Sequence, residues 1–127
     1  MKIPGSDHPI TIASNPNKVR VVFDGQVIAE TDRALSLKEA AYPPVQYIPR
    51  EDVRMDLLQR VSHTTYCPYK GDAAYYSIAV DGKTAANAVW TYEQPYAAVA
   101  SIEGKLAFYP DRVDSIEELP AEAVARR

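Results

Sequence analysis

The residues best equipped for chemistry in this 127-residue chain form one run, His63-Thr64-Thr65-Tyr66-Cys67-Pro68-Tyr69-Lys70-Gly71-Asp72. A thiolate is a nucleophile, and a nearby ammonium favours it over the thiol. Cys67 therefore has a candidate activator in Lys70. His63 is a candidate base, provided that the loop folds back to bring the two together. A small thiol packed into a pocket wall explains the same letters without any reaction. Lys70-Gly71 is also a geometric unit. Glycine lets a backbone approach closely and lysine adds a point charge, so the pair can hold a phosphate or carboxylate. The run is not a phosphate loop, because G-x-x-x-x-G-K-[ST] is missing, and no G-x-G-x-x-G occurs.

Further candidates lie outside that run. Tyr47 and Arg50 flank a constrained Ile48-Pro49 pair, and a guanidinium can grip an oxyanion with two prongs. Thr65 belongs to the run itself. Tyr75, Asn87, Trp90 and Tyr92 supply an aromatic wall and an amide that can read a flat ligand. Trp90 and Tyr92 share one face if they lie on a strand. Core packing accounts for Trp90 as well as ligand contact does. Asp52, Asp56, Asp72 and Glu93 are scattered like ordinary surface carboxylates. Neither a metal-binding motif nor the G-x-S-x-G elbow of a serine hydrolase is present, so no metal site is indicated, and the sequence leaves any cofactor unknown.

Composition limits the classes that remain. The formal net charge is -3, with no Lys/Arg cluster, which argues against nucleic acid and anionic membrane as partners. One cysteine cannot form an internal disulfide, so a reducing cytoplasmic setting is expected. The N-terminus shows no apolar run that would mark a signal peptide or membrane span. Nine tyrosines against two phenylalanines suit pocket walls, where a ring packs and a hydroxyl stays available, though ordinary strand residues with wet hydroxyls fit too.

The elements that would position these residues read mainly as strands. Asp24-Gly25 and Asp81-Gly82 are hairpin turns, because the favoured two-residue turn needs positive φ at both positions. A third hairpin is expected around Glu103-Gly104, and Ala34 to Lys38 alternates like a strand. Residues 1-9 read as a loose arm with His8 at the surface. Residues 41-49 read as an edge or irregular extended segment, Asp52 to Leu58 as a short helix, and residues 62-72 as mainly loop. A short strand is expected around Val113. Ser115-x-x-Glu118 matches a capping box, so a helical turn and a frayed tail from 118 are expected. The segments around the two Asp-Gly turns echo each other 57 residues apart, as two ordinary hairpins would.

Three blocks carry a resemblance: Tyr47 through Leu58, Thr64 through Gly71 within H-T-T-Y-C-P-Y-K-G-D-A-A-Y-Y, and Trp90 through Pro95, with G-K-L-A-F-Y-P-D-R-V-D behind them. From about Val19 to Val113 the chain resembles the bacterial and fungal family called domain of unknown function 427, sometimes labelled nucleotidyltransferase-like. The resemblance implies a compact, mostly β domain with a partly closed sheet. The signature positions it carries over are Tyr47, Pro49, Asp52, Thr65, Cys67, Pro68, Lys70, Gly71, Tyr75, Asn87, Trp90, Tyr92 and Pro95. The expectation is a single mainly β domain, an antiparallel and partly closed barrel or tent-like sheet with one or two short helices, as a monomer or homodimer. Its leading function is binding a small polar or anionic ligand in a tyrosine-lined pocket. The alternatives are an enzyme using Cys67 or a nucleotidyltransferase-like activity, and an interaction or dimerisation module.

Overall fold

The computed structural model describes residues 1–120. Ten strands dominate it: β1 (Ile10–Ser14), β2 (Lys18–Phe23), β3 (Gln26–Thr31), β4 (Leu35–Glu39), β5 (Val45–Tyr47), β6 (Leu58–Cys67), β7 (Gly71–Val80), β8 (Lys83–Tyr92), β9 (Leu106–Phe108) and β10 (Ser115–Leu119). They form three antiparallel sheets, ordered β1-β4-β5, β10-β2-β3 and β6-β7-β8-β9. A single bridge from Ile48 to Leu106 joins the first sheet to the third, and another pairs Ala29 of β3 with Val53, which lies outside the strands. No sheet closes on itself among the described pairings.

Strand β7 is the divider of the molecule. Its sequence, GDAAYYSIAV, is buried almost throughout, because both faces of its sheet are covered. Side chains alternate across a strand, so Tyr76 and Ile78 enter one core while Ala73 and Tyr75 enter another. The first core takes Val19, Val21 and Ile28 from the β10-β2-β3 sheet. The second takes Leu37 and Tyr47 from the β1-β4-β5 sheet, and Val99 and Ile102 from the turn at Ala97–Ile102.

Both Asp-Gly hairpins form as expected. Asp24 and Gly25 have φ of 50° and 74°, and Asp81 and Gly82 have 48° and 80°, as a primed two-residue turn demands. Other segments differ from the sequence reading. The 62-72 loop is instead largely strand β6, followed by a turn in which the Lys70 amide donates to the Cys67 carbonyl. The expected helix near Asp52 is two separate 3-10 turns, Arg50–Asp52 and Met55–Leu57. Ala97–Ile102, read as a strand, is a 3-10 segment, so the Glu103-Gly104 hairpin does not form. Val113 follows another such turn, Pro110–Arg112, instead of lying in a strand. The Ser115-x-x-Glu118 segment is β10, paired along β2 from Ser115↔Val22 to Leu119↔Lys18. The rest of the expected tail, 121–127, lies outside the described residues.

The N-terminal arm is also docked. The Lys2 amide donates to the Pro68 carbonyl, and the His8 ring stacks on Tyr69 at 3.9 Å. Among the described residues no helix is long and apolar enough to cross a membrane.

Candidate functional site

A cavity of about 750 Å³ opens where the two cores meet. Strand β4 contributes Leu37 and Glu39, which share a face because they are two residues apart. Strand β5 contributes Tyr47, β7 Tyr75, and β8 Trp90 and Tyr92, and Tyr109 follows β9. The Tyr42-Pro43-Pro44 segment forms an exposed side of the opening. The sequence-predicted wall residues Tyr47, Lys70, Tyr75, Trp90 and Tyr92 therefore do converge on one hollow.

Hydrogen bonds and ring contacts hold this wall in shape. Trp90 Nε1 donates to the Tyr47 hydroxyl at 3.3 Å, and the two rings meet edge to face. The Tyr75 hydroxyl shares hydrogen bonds with Thr65 Oγ1 at 3.0 Å and the Tyr109 hydroxyl at 3.3 Å. Trp90 and Tyr109 lie 4.5 Å apart between ring centres. Burial first of all pushes the Tyr47 and Tyr92 phenols well above their ordinary value of 10. The Glu39 charge adds to both shifts, while the Trp90 hydrogen bond opposes the one at Tyr47. Burial and the bond shared with Tyr75 push Tyr109 up to about 12. All three are neutral hydroxyls near pH 7, able to donate and accept hydrogen bonds but not to act as phenolate bases.

Lys70 is buried, with its ammonium ion-paired to Glu39 Oε1. The other carboxylate oxygen of Glu39 lies 2.8 Å from His8 Nε2. Burial alone would raise the Glu39 carboxyl, but the hydrogen bonds to Lys70 and His8 outweigh it and hold the group below its ordinary 4.5. Lys70 also lies 5.9 Å from the centre of the Tyr92 ring, a cation–π contact. The lysine expected to await an anion thus already has its counter-charge. His8, expected at the surface, is a partner in the same cluster.

The remaining predicted residues lie elsewhere. Gly71 has φ +110°, and a Cβ there would sit 3.4 Å from the Gln94 carbonyl oxygen. Its positive φ accounts for the glycine, and the preceding amide is already bonded within the turn, so no anion nest is needed to explain it. Arg50 Nη2 donates to the Tyr76 hydroxyl at 3.0 Å. Tyr76 packs in the first core, on the opposite face of β7 from Tyr75, which takes Arg50 away from the cavity. Asn87 has φ 52° in a bulge of β8, where its amide donates to Ser77 Oγ at 3.1 Å, and its side chain is not part of the wall. Thr65 supports Tyr75 from behind.

Cys67 ends β6, half-buried against the second core, and is not part of the cavity lining. His63 is exposed on the same strand and packs edge to face on Tyr75 at 4.5 Å. Four residues of extended chain span roughly 13 Å at about 3.3 Å each. That separation keeps His63 out of hydrogen-bond reach of Cys67, because a strand occupies the place of the loop that was to fold back. Among the described residues, no group of three or more His, Cys, Asp or Glu is placed to share a metal ion.

Sequence reasoning missed Glu39, Tyr109 and Glu118, all of which face the cavity. Glu39 was within reach, since the Leu35-Leu37-Glu39 alternation puts it on the buried face of β4. Tyr109 stands inside a distinctive block, but a 3-10 turn after a three-residue strand has no periodicity that would aim it. Glu118 was hidden by the capping-box reading.

The fold and cavity define a mainly antiparallel β domain with an aromatic pocket at the junction of two cores. The family model described as domain of unknown function (DUF427) matches residues 11–119, so the chain belongs to that family. The match takes in β1 and β10 beyond the segment that the motifs alone marked. No curated protein matches the chain.

Proposed function

We propose that this domain binds a small polar molecule in the aromatic pocket. The observation that supports this reading is the convergence of Tyr47, Tyr75, Trp90, Tyr92 and Tyr109 on one cavity of about 750 Å³. Pockets for small molecules typically span about 300–1,000 Å³, with mostly apolar walls and a few placed polar groups. The Tyr92 hydroxyl is the best placed such group. The Tyr92 side chain lines the cavity, largely buried, and no side-chain hydrogen bond engages its hydroxyl among the described residues.

Of the two ligand types expected from sequence, polar and anionic, the anionic one fits less well. Lys70 is paired with Glu39, and Arg50 is engaged with Tyr76. A nucleotide would be poorly served for the same reason, since its phosphates need free cations or backbone amides. Trp90 is the chain's single tryptophan, so its emission reports directly on the pocket. A metabolite library screened by thermal shift, with hits followed by Trp90 emission and calorimetry, tests the proposal. Hits should change Trp90 emission and lose affinity on Tyr92→Phe. Hits that leave Trp90 silent, or bind Tyr92→Phe and Trp90→Phe variants unchanged, would remove this pocket from consideration.

A further inference from the structure

We infer that the pocket selects a small organic cation, an amine or quaternary ammonium on a compact apolar body. The inference rests on the pocket-binding reading above and adds the charge of the ligand. Among the described residues, three charged side chains line the cavity: Glu39, Lys70 and Glu118. Lys70 and Glu39 cancel in direct contact, which leaves the carboxylate of Glu118, a lining residue that is itself exposed to solvent. Among the described residues that carboxylate has only amide partners, accepting from Asn15 Nδ2 at 3.0 Å and Asn17 Nδ2 at 3.2 Å through Oε1. Neither amide neutralises it.

The rest of the wall favours the same sign. Aromatic faces carry negative potential and attract ammonium groups, more strongly when water is excluded. Two of these rings already hold a cation of the protein itself. The Lys70 ammonium lies 5.9 Å from the centre of Tyr92, and the Arg112 guanidinium lies 4.6 Å from that of Tyr109. An anion entering here would find the Lys70 ammonium already paired with Glu39, and the Arg112 guanidinium lying against the Tyr109 ring and bonded to the Ala86 and Asn87 carbonyls. A cation would meet rings, hydroxyl oxygens and a carboxylate.

Probes matched in shape but not in charge separate this inference from simple pocket filling. Benzylamine, benzyl alcohol and benzoate form one set, and choline with 3,3-dimethylbutan-1-ol forms a second. Binding would be followed by Trp90 emission and calorimetry at pH 7. Benzylamine should bind at least tenfold tighter than benzyl alcohol, choline likewise against its neutral isostere, and benzoate should bind weakest. Glu118→Gln keeps an acceptor for Asn15 and Asn17, so it should preserve the fold and the affinity for benzyl alcohol while weakening benzylamine several-fold. If benzyl alcohol or benzoate binds as tightly as benzylamine, charge selection is overturned and the pocket reading stands. If none of the five probes binds, the charge inference falls, and the library screen alone decides the pocket reading.

Discussion

Removing Lys70 uncovers a carboxylate that the fold has partly withdrawn from water. Breaking a buried pair on one side is worse than losing both partners, because it strands a charge. Lys70→Ala should therefore destabilise the domain by about 2–3 kcal/mol, at or just below the low end of the range for such pairs because His8 still bonds Glu39. Lys70→Met combined with Glu39→Gln should cost less than the two single changes added together, a coupling that a double-mutant cycle in urea would measure. Additive losses would mean that the two side chains act independently. The pair also gives a pH signature of known sign. The Glu39 carboxyl is held below its ordinary 4.5 in the folded chain, so its contribution is complete above that value and is lost as pH falls through the depressed one. Stability of the native protein should drop between pH 5 and 3 more than that of Glu39→Gln does, measured as denaturation midpoints across that range. Parallel acid limbs would place the sensitivity on other carboxylates.

At the level of elements, the turn before β7 and the bulge in β8 make opposite demands on their residues. Gly71 combines φ +110° with a carbonyl 3.4 Å from any added Cβ, whereas nothing lies within 4 Å of a Cβ at Gly25. Gly71→Ala should cost about 2–3 kcal/mol and Gly25→Ala about 1 kcal/mol, by thermal or urea unfolding. Equal costs would show that φ +110° at Gly71 strains alanine no more than φ +74° at Gly25 does. Asn87 sits at φ 52°, where asparagine and glycine are tolerated and β-branched residues are not. Asn87→Gly should keep both stability and ligand affinity, and Asn87→Val should lose stability alone. A loss of affinity in the glycine variant would return the side chain to the site. These two residues also show what the sequence could disclose. The Asp-Gly turns were legible because their backbone demand is written in the residue types. Strand β6 was not, since it is an edge strand exposed over Ser62 to Tyr66 and so lacks hydrophobic alternation. Strand β10 was misread because S-I-E-E-L satisfies a helix-capping pattern equally well, and only its pairing with β2 decides between them. The pocket wall was half legible. Trp90, Tyr92 and Tyr75 stand out by type, but the pairing that neutralises Lys70 joins residues 31 positions apart.

For the molecule as a whole, the question is whether two cores behave as one cooperative unit. They share the sheet containing β7, and the bridge from Ile48 to Leu106 passes between them. Ile78 is fully buried in the first core and Leu37 nearly so in the second, so alanine at either site should cost about 2–5 kcal/mol. If the shared sheet couples the cores, both variants should shift the entire unfolding transition. Far-UV circular dichroism, which sees all the strands, and Trp90 emission, which sees the pocket, should then give coincident curves for native and variant proteins. A pocket formed where the two cores meet would report on both. A ligand at a hundred times its dissociation constant should add about 2.7 kcal/mol and raise that single transition without splitting it. If Leu37→Ala instead moved the Trp90 curve and left the backbone signal in place, the second core would be melting separately. The pocket would then be a feature of one half of the sheet system rather than of its junction.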